Sequence, residues 1–212
     1  AGGDCHIMGL LSRLLKREPH DPYWDGFINR APVGEDNELA HALRRASEGD
    51  VFPVKSELPP PERLSHDLAE LAQFLGASGL GVAAVDAALL TEEGADAGNR
   101  NGPSSVDGLV AAYKFLIVCP VHAEYDPAKA EGIGGQLPVR ESISVNFSLS
   151  AYIRELGYEA TVRTVKAVET AVAAGLGTAS GGKLHMPEHG THVYVGEAVL
   201  TDIPLVPGTP KL

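Results

Sequence analysis

The stretch Val165–Leu205, VKAVETAVAAGLGTASGGKLHMPEHGTHVYVGEAVLTDIPL, constrains the fold more than any other part of the chain. Val165, Val168 and Val172 recur at helix spacing and stop at Gly175 and Gly177, where a left-handed cap ends a helix. Gly181 and Gly182 then free the backbone to lie against a ligand or another segment. Val193, Val195 and Val199, spaced by two and four, read as one strand from Val193 to Thr201. Helix, glycine loop and strand in succession are a common seat for a large cofactor, and equally a plain connector between packed elements.

Two further helices are legible. Leu64, Leu68, Leu71 and Leu75 form one stripe of a helix that starts after Pro59-Pro60-Pro61 and is capped by Gly76. GLGVAAVD follows as a short buried strand. Val145, Leu149, Tyr152 and Leu156 share a face of a helix over Ser142 to Leu156, with Gly157 as its cap and EATVRT as the next strand. Glu38 to Ala46 reads as a helix, and Leu10 to Lys16 as a short surface helix or arm. Residues 18 to 37 read as an irregular segment pinned by Tyr23 and Trp24. Residues 92 to 105 read as a surface loop, and a short helix leads into the strand LIVCPV.

Charge and cysteine content exclude several classes. Asp and Glu number 28 against 17 Lys and Arg, a net charge of −11, which disfavours nucleic acid and anionic membrane as partners. No apolar run reaches the length of a membrane span, and no secretory signal is visible, so the expected location is cytoplasmic. The two cysteines, Cys5 and Cys119, are too few for a disulfide framework or a four-cysteine cluster. Ala1–Ile7 is unpatterned and reads as an expression remnant before Met8, and Cys119 reads as a small core hydrophobe.

Two groups of polar residues invite chemistry. His122, Glu124, Tyr125 and Asp126 cluster after the strand LIVCPV, the usual place for site residues, and equally for turn and capping residues. Of these, Tyr125 and His122 are the candidates for a catalytic role. His185, His189 and His192 could surround zinc or cobalt as neutral nitrogen ligands, or serve as surface histidines. Pro187 breaks any helix between the first two, so they are not a ligand pair on one helix face.

Five segments carry a resemblance. AVAAGLG, PEHG and AVLTDIPL, the last followed by Pro207, are similar to the cobalamin-binding catalytic domain of reductive dehalogenases and epoxyqueuosine reductase. LAELAQFLGASGLGVAAVD and SLSAYIRELGYEA resemble the opening segment and a central helix of the same family, so the likeness covers roughly residues 60 to 210 in order. It implies a single α+β domain of nitroreductase-like type, a sheet flanked by helices, holding a corrinoid. The positions matching the cofactor contacts are Gly175, Gly177, Thr178, Ser180, Gly181, Gly182, Lys183, His185, His189, Thr201 and Asp202. Residues 8–60 would form an N-terminal extension packing on a corrinoid-binding domain of residues 61–212. If a histidine meets cobalt, His185 and His189, which flank the turn nearest the ring, are the candidates.

The departures from the family bear on activity. The Cys-x-x-Cys-x-x-Cys-x-x-x-Cys-Pro run expected after the Thr-Asp segment is not found before Leu212, so no iron–sulfur cluster is expected in this sequence. Val139, Arg140 and Glu141 stand near the place of the family's proton-donating tyrosine. Val162-Arg163-Thr164 replaces an Asn-Asp-Thr, and His192 or Tyr194 replaces a basic residue. Reductive cleavage needs an electron path and a proton, so these losses argue against a working dehalogenase. Three readings follow. The first is a corrinoid-binding carrier, sensor or cobalamin-handling subunit. The second is a cobalamin-dependent reductase fed by a separate ferredoxin or flavoprotein, and the third is a flavin-binding protein of the same fold. A homodimer is compatible with each.

Overall fold

The computed structural model describes residues 26, 30, 39–95, 101–123 and 133–208. The expectations for Ala1–Ile7, Cys5, the arm at Leu10 to Lys16, Tyr23, Trp24, Glu124, Tyr125 and Asp126 lie outside the described residues. Among those described, the order is α1 (Leu39–Arg45), α2 (Pro61–Phe74), β1 (Gly81–Ala84), a 3-10 turn at Ala87–Leu89, α3 (Glu92–Ala95), α4 (Val106–Ala112), β2 (Phe115–Val118) and β3 (Val121–His122). There follow α5 (Ile133–Glu155), β4 (Ala160–Thr164), α6 (Ala167–Ala173), β5 (Thr178–Ser180), β6 (Lys183–His185), β7 (Val193–Tyr194) and β8 (Glu197–Thr201).

The main sheet is antiparallel throughout, with strand order β1-β2-β8-β4. Every residue of β8 is buried, as a central strand covered on both faces requires. Alternation sorts its side chains. Ile117, Val162 and Val199 face Leu64 and Leu68 of α2 and Val145, Leu149 and Ile153 of α5. Leu116, Val118, Ala198 and Leu200 face Leu109 of α4, Ala171 of α6 and Leu184 of β6. The molecule is thus an α+β layer structure with helices on both sides of one sheet.

The glycines predicted as caps do that work. Gly76, Gly157 and Gly175 have φ of 111°, 84° and 77°. At each the two backbone bonds of a Schellman motif form, as in Gly175 N–H to Val172 O at 3.0 Å and Leu176 N–H to Ala171 O at 3.0 Å. Three expectations are corrected. Helix α5 begins at Ile133, ahead of Ser142, and carries Pro138 inside it as its sixth residue, where the missing N–H removes one helical bond; the glycines and proline of this stretch read as loop in a sequence. The strand expected over Val193 to Thr201 breaks at Val195 and Gly196: the Tyr194 phenol fills the space a Cβ at Gly196 would take, and β7 leaves to pair with β3. Within the expected loop at 92 to 105, Glu92–Ala95 is helical.

The segment before Pro61 is strapped to the core. Phe52 N–H donates to Arg154 O and Ser56 N–H to Leu156 O, both at 2.9 Å, and Lys55 sits 4.4 Å over the Tyr158 ring. Cys119, at the end of β2, is fully buried, and burial pushes its thiol up to about 12. A raised thiol pKa stabilises the fold fully below the ordinary value of 9.0, and that contribution is lost as pH climbs towards about 12. In a Cys5→Ser background, native protein is therefore expected to resist Ellman's reagent and to react only in step with urea unfolding. Prompt labelling of the folded protein would contradict this burial.

No helix among the described residues is long and apolar enough to cross a membrane.

Candidate functional site

The glycine stretch builds one wall of a groove. After the α6 cap, Gly177 passes so close to the His185 carbonyl that a Cβ there would collide with it. The chain then forms the β5–β6 hairpin, in which Ser180 pairs with Lys183 and Thr178 with His185. Gly181 and Gly182 turn it with φ of 56° and 74°, the two positive values a type I′ turn requires. No atom lies within 4 Å of where their Cβ atoms would stand, so the hairpin tip is open.

Beside this tip lies a groove of about 480 Å³. The hairpin contributes Gly182, Lys183 and Leu184, the first two turns of α5 contribute Gly135 and Val139, and the first turn of α6 contributes Ala167 and Val168. The segment into β7 closes it with Thr191, Val193, Tyr194 and Val195. The lining is mostly apolar with a few polar groups at fixed places, and its volume is within the ~300–1,000 Å³ of small-molecule sites.

Tyr194 is fixed by charges outside the groove. Arg44 on α1 bonds Glu197 through Nε at 3.0 Å and a terminal nitrogen at 2.8 Å, and it also bonds the Tyr194 side chain. Burial first, and then Glu197, pushes Tyr194 up to about 12, against the opposing pull of Arg44. Its stabilising contribution is therefore complete below the ordinary value of 10.0 and is lost as pH rises towards about 12. Arg44→Met removes two charge-assisted bonds from a buried carboxylate and is expected to cost about 1–3 kcal/mol in urea unfolding. Paired with Glu197→Gln in a double-mutant cycle, the two losses should fall well short of additive. Additive losses would show that the pair is not coupled.

The sequence-predicted residues separate into three places. Gly182 and Lys183 line the groove, while Gly175, Gly177, Thr178, Ser180 and Gly181 build the cap and hairpin that present it. Thr201 and Asp202 lie at the opposite end of β8 from Glu197. There Thr201 donates to Glu159 O at 2.7 Å, and Asp202 accepts the Glu159 N–H at 2.8 Å and Lys55 at 3.2 Å. They anchor a turn and do not meet the groove lining.

His185 ends β6, His189 sits in the following turn and His192 lies beyond it. Among the described residues no three His, Cys, Asp or Glu side chains are placed to hold a metal, so these three do not form a joint site; the turn around Pro187 spreads them. His122 is exposed on β3, with its ring centre 5.6 Å from that of His189. The groove residues that sequence reasoning missed include Ala167, Val168, Leu184, Thr191, Val193 and Val195. The spacing of the apolar ones read only as packing, and nothing in it distinguishes a groove wall from a core.

No protein-family profile matches the sequence, and no curated protein matches it. Solved structures do. The catabolic reductive dehalogenase NpRdhA aligns with a TM-score of 0.65 at 24% identity, over 86% of this chain and 26% of that one. A reductive dehalogenase whose structure suggested a mechanism for B12-dependent dehalogenation aligns with a TM-score of 0.61 at 25% identity, over 86% of this chain and 26% of that one. An epoxyqueuosine reductase bound to a modified tRNA stem loop aligns over 71% of this chain and 48% of that one, with a TM-score of 0.46 at 17% identity. The chain thus spans about a quarter of the dehalogenases it matches, and shares their fold over that part. The dehalogenases are among the proteins the sequence motifs resemble.

Proposed function

We propose that this chain is a corrinoid-binding domain of nitroreductase-like fold, with the corrin ring resting in the groove beside the β5–β6 hairpin. The observation that carries the reading is the groove itself. It opens at Gly182 and Lys183, within the run that resembles the family's cofactor contacts, in a fold shared with a B12-dependent dehalogenase. The residues fit such a ligand. Val139, Val168, Leu184, Val193 and Val195 offer an apolar face for a flat macrocycle. The hydroxyls of Thr191 and Tyr194 lie in the wall for its amide side chains, and the open glycine tip lets atoms approach the backbone. The groove, about 480 Å³, would seat one face of the ring, and the rest of the ring and the nucleotide tail would extend over the hairpin and into the open. Bound cobalt would supply redox chemistry and an axial coordination position.

The carrier, sensor or cofactor-handling role is favoured over catalysis by two wall residues. Val139, Arg140 and Glu141 stand near the place of the proton-donating tyrosine that the resemblance implies, and Val139, the one of the three that lines the groove, has no proton to give. Tyr194, pushed up to about 12, keeps its proton too tightly for an efficient acid and suits hydrogen bonding to a bound amide. Val168→Trp fills the groove and is expected to weaken cobalamin binding by about tenfold or more, equivalent to ~1.4 kcal/mol. Phe74→Trp, on the exposed face of α2, serves as the control. Hydrogen exchange with cobalamin present should protect the amides of residues 178–195. Equal binding by the two variants, or protection elsewhere only, would refute this placement.

A further inference from the structure

We propose that His122 and His189 form a binding site for a divalent transition cation of the zinc and copper class. The two imidazoles come from separate segments, one from β3 and one from the turn between β6 and β7. Their ring centres are 5.6 Å apart and tilted by 48°. A ring nitrogen binds zinc at about 2.0–2.1 Å, which places each ring centre about 3.2 Å from the ion. Two rings on one ion are therefore at most about 6.4 Å apart, and about 5.2 Å apart at the tetrahedral angle. The observed separation lies between these limits.

The backbone already holds both ligands in register. His122 pairs with Val193 across the β3–β7 ladder, and Ala123 N–H donates to His192 O at 3.0 Å. Met186 and Gly190 exchange two backbone bonds of 2.8 Å, closing the turn that carries His189. The backbone that carries the two ligands therefore has little freedom left to lose when an ion arrives. Imidazole is the common ligand of zinc, copper and nickel, and a chain of net charge −11 draws cations towards its surface. The described residues supply these two ligands, and water or further groups would complete the coordination. Val193 and Tyr194 of β7 also wall the groove. An ion bridging β3 to the turn therefore clamps that wall, whether or not a corrinoid is the groove's ligand.

The test is a zinc titration of the full chain against a chromogenic zinc indicator, with wild type, His122→Ala, His189→Ala and His192→Ala in parallel. His122→Gln and His189→Gln repeat the measurement with side chains of similar bulk. Wild type and His192→Ala should bind one equivalent more tightly than the His122 and His189 variants. The difference should be at least the ~10-fold that even an outer-shell partner of a metal is worth. Copper bound by wild type should show two nitrogen couplings in its electron paramagnetic resonance spectrum. Zinc binding unchanged in the His122 variants overturns the proposal. So does zinc binding lost in His185→Ala or His192→Ala and kept in His122→Ala.

Discussion

Glu48→Ala is expected to lower stability by about 3–5 kcal/mol, the range for breaking a buried charge network by removing one partner. Glu48 is buried, and its carboxylate accepts from Val162 N–H at 2.7 Å, Thr161 Oγ1 at 2.8 Å and Asn101 N–H at 2.9 Å. Val162 lies on β4, an edge strand, so Glu48 takes the place of a missing strand partner. Two buried guanidiniums share the region. Arg163 donates to Thr161 Oγ1, to Val162 O at 3.0 Å and to Asn101 O at 2.6 Å. Arg154 donates to Ser150 Oγ at 3.0 Å and Ala160 O at 3.2 Å. Burial pulls the Arg154 pKa down, and the charge of Glu48 works against that fall. Alanine therefore removes three acceptor contacts and a compensating charge together. Glu48→Gln, which keeps the shape and part of the bonding, should lose less. Urea unfolding checks both, and a loss below about 1 kcal/mol for alanine would place Glu48 among ordinary surface charges.

Gly177→Ala should cost about 1–3 kcal/mol as an overpacking change and remove ligand binding at the groove. Gly177 is buried with no positive φ, so its glycine is needed for space: a Cβ would strike the His185 carbonyl. The collision pushes β6 away from the end of α6, and β6 carries Lys183 and Leu184 of the groove wall. Gly181→Ala is the useful contrast, because its Cβ meets nothing and the penalty is conformational, ~1–2 kcal/mol at φ of 56°. Both variants lose stability, and only Gly177→Ala should empty the groove. Binding retained by Gly177→Ala would show that the hairpin's position is not what shapes the site.

What the sequence made legible was whatever depends on local rules. The α2 stripe of Leu64 and Leu68 and the glycine caps at 76, 157 and 175 follow from periodicity and from the left-handed conformation, and each is where expected. The glycine hairpin was legible as a special segment but not as a hairpin, because Gly181-Gly182 signals freedom as readily as a type I′ turn. The groove was half legible. Gly182 and Lys183 stood in the resembling run, whereas Val139 and Val168 reach the same wall from helices distant in sequence. Thr201 and Asp202 matched the motif but bond a turn at the other end of β8, a distinction that only the strand register reveals. The His122–His189 pair joins residues 67 apart through a two-residue ladder that no spacing rule predicts.

The measurement that bears most directly on the corrinoid reading is a titration of the purified chain with aquacobalamin, followed by the visible spectrum of oxidised and reduced cobalt. The account predicts saturable one-to-one binding with bands shifted to those of a corrinoid whose lower base is displaced. An unchanged spectrum and no retained cobalamin, at concentrations well above those at which cofactors are held, would contradict it and leave the likeness to the dehalogenases as one of fold.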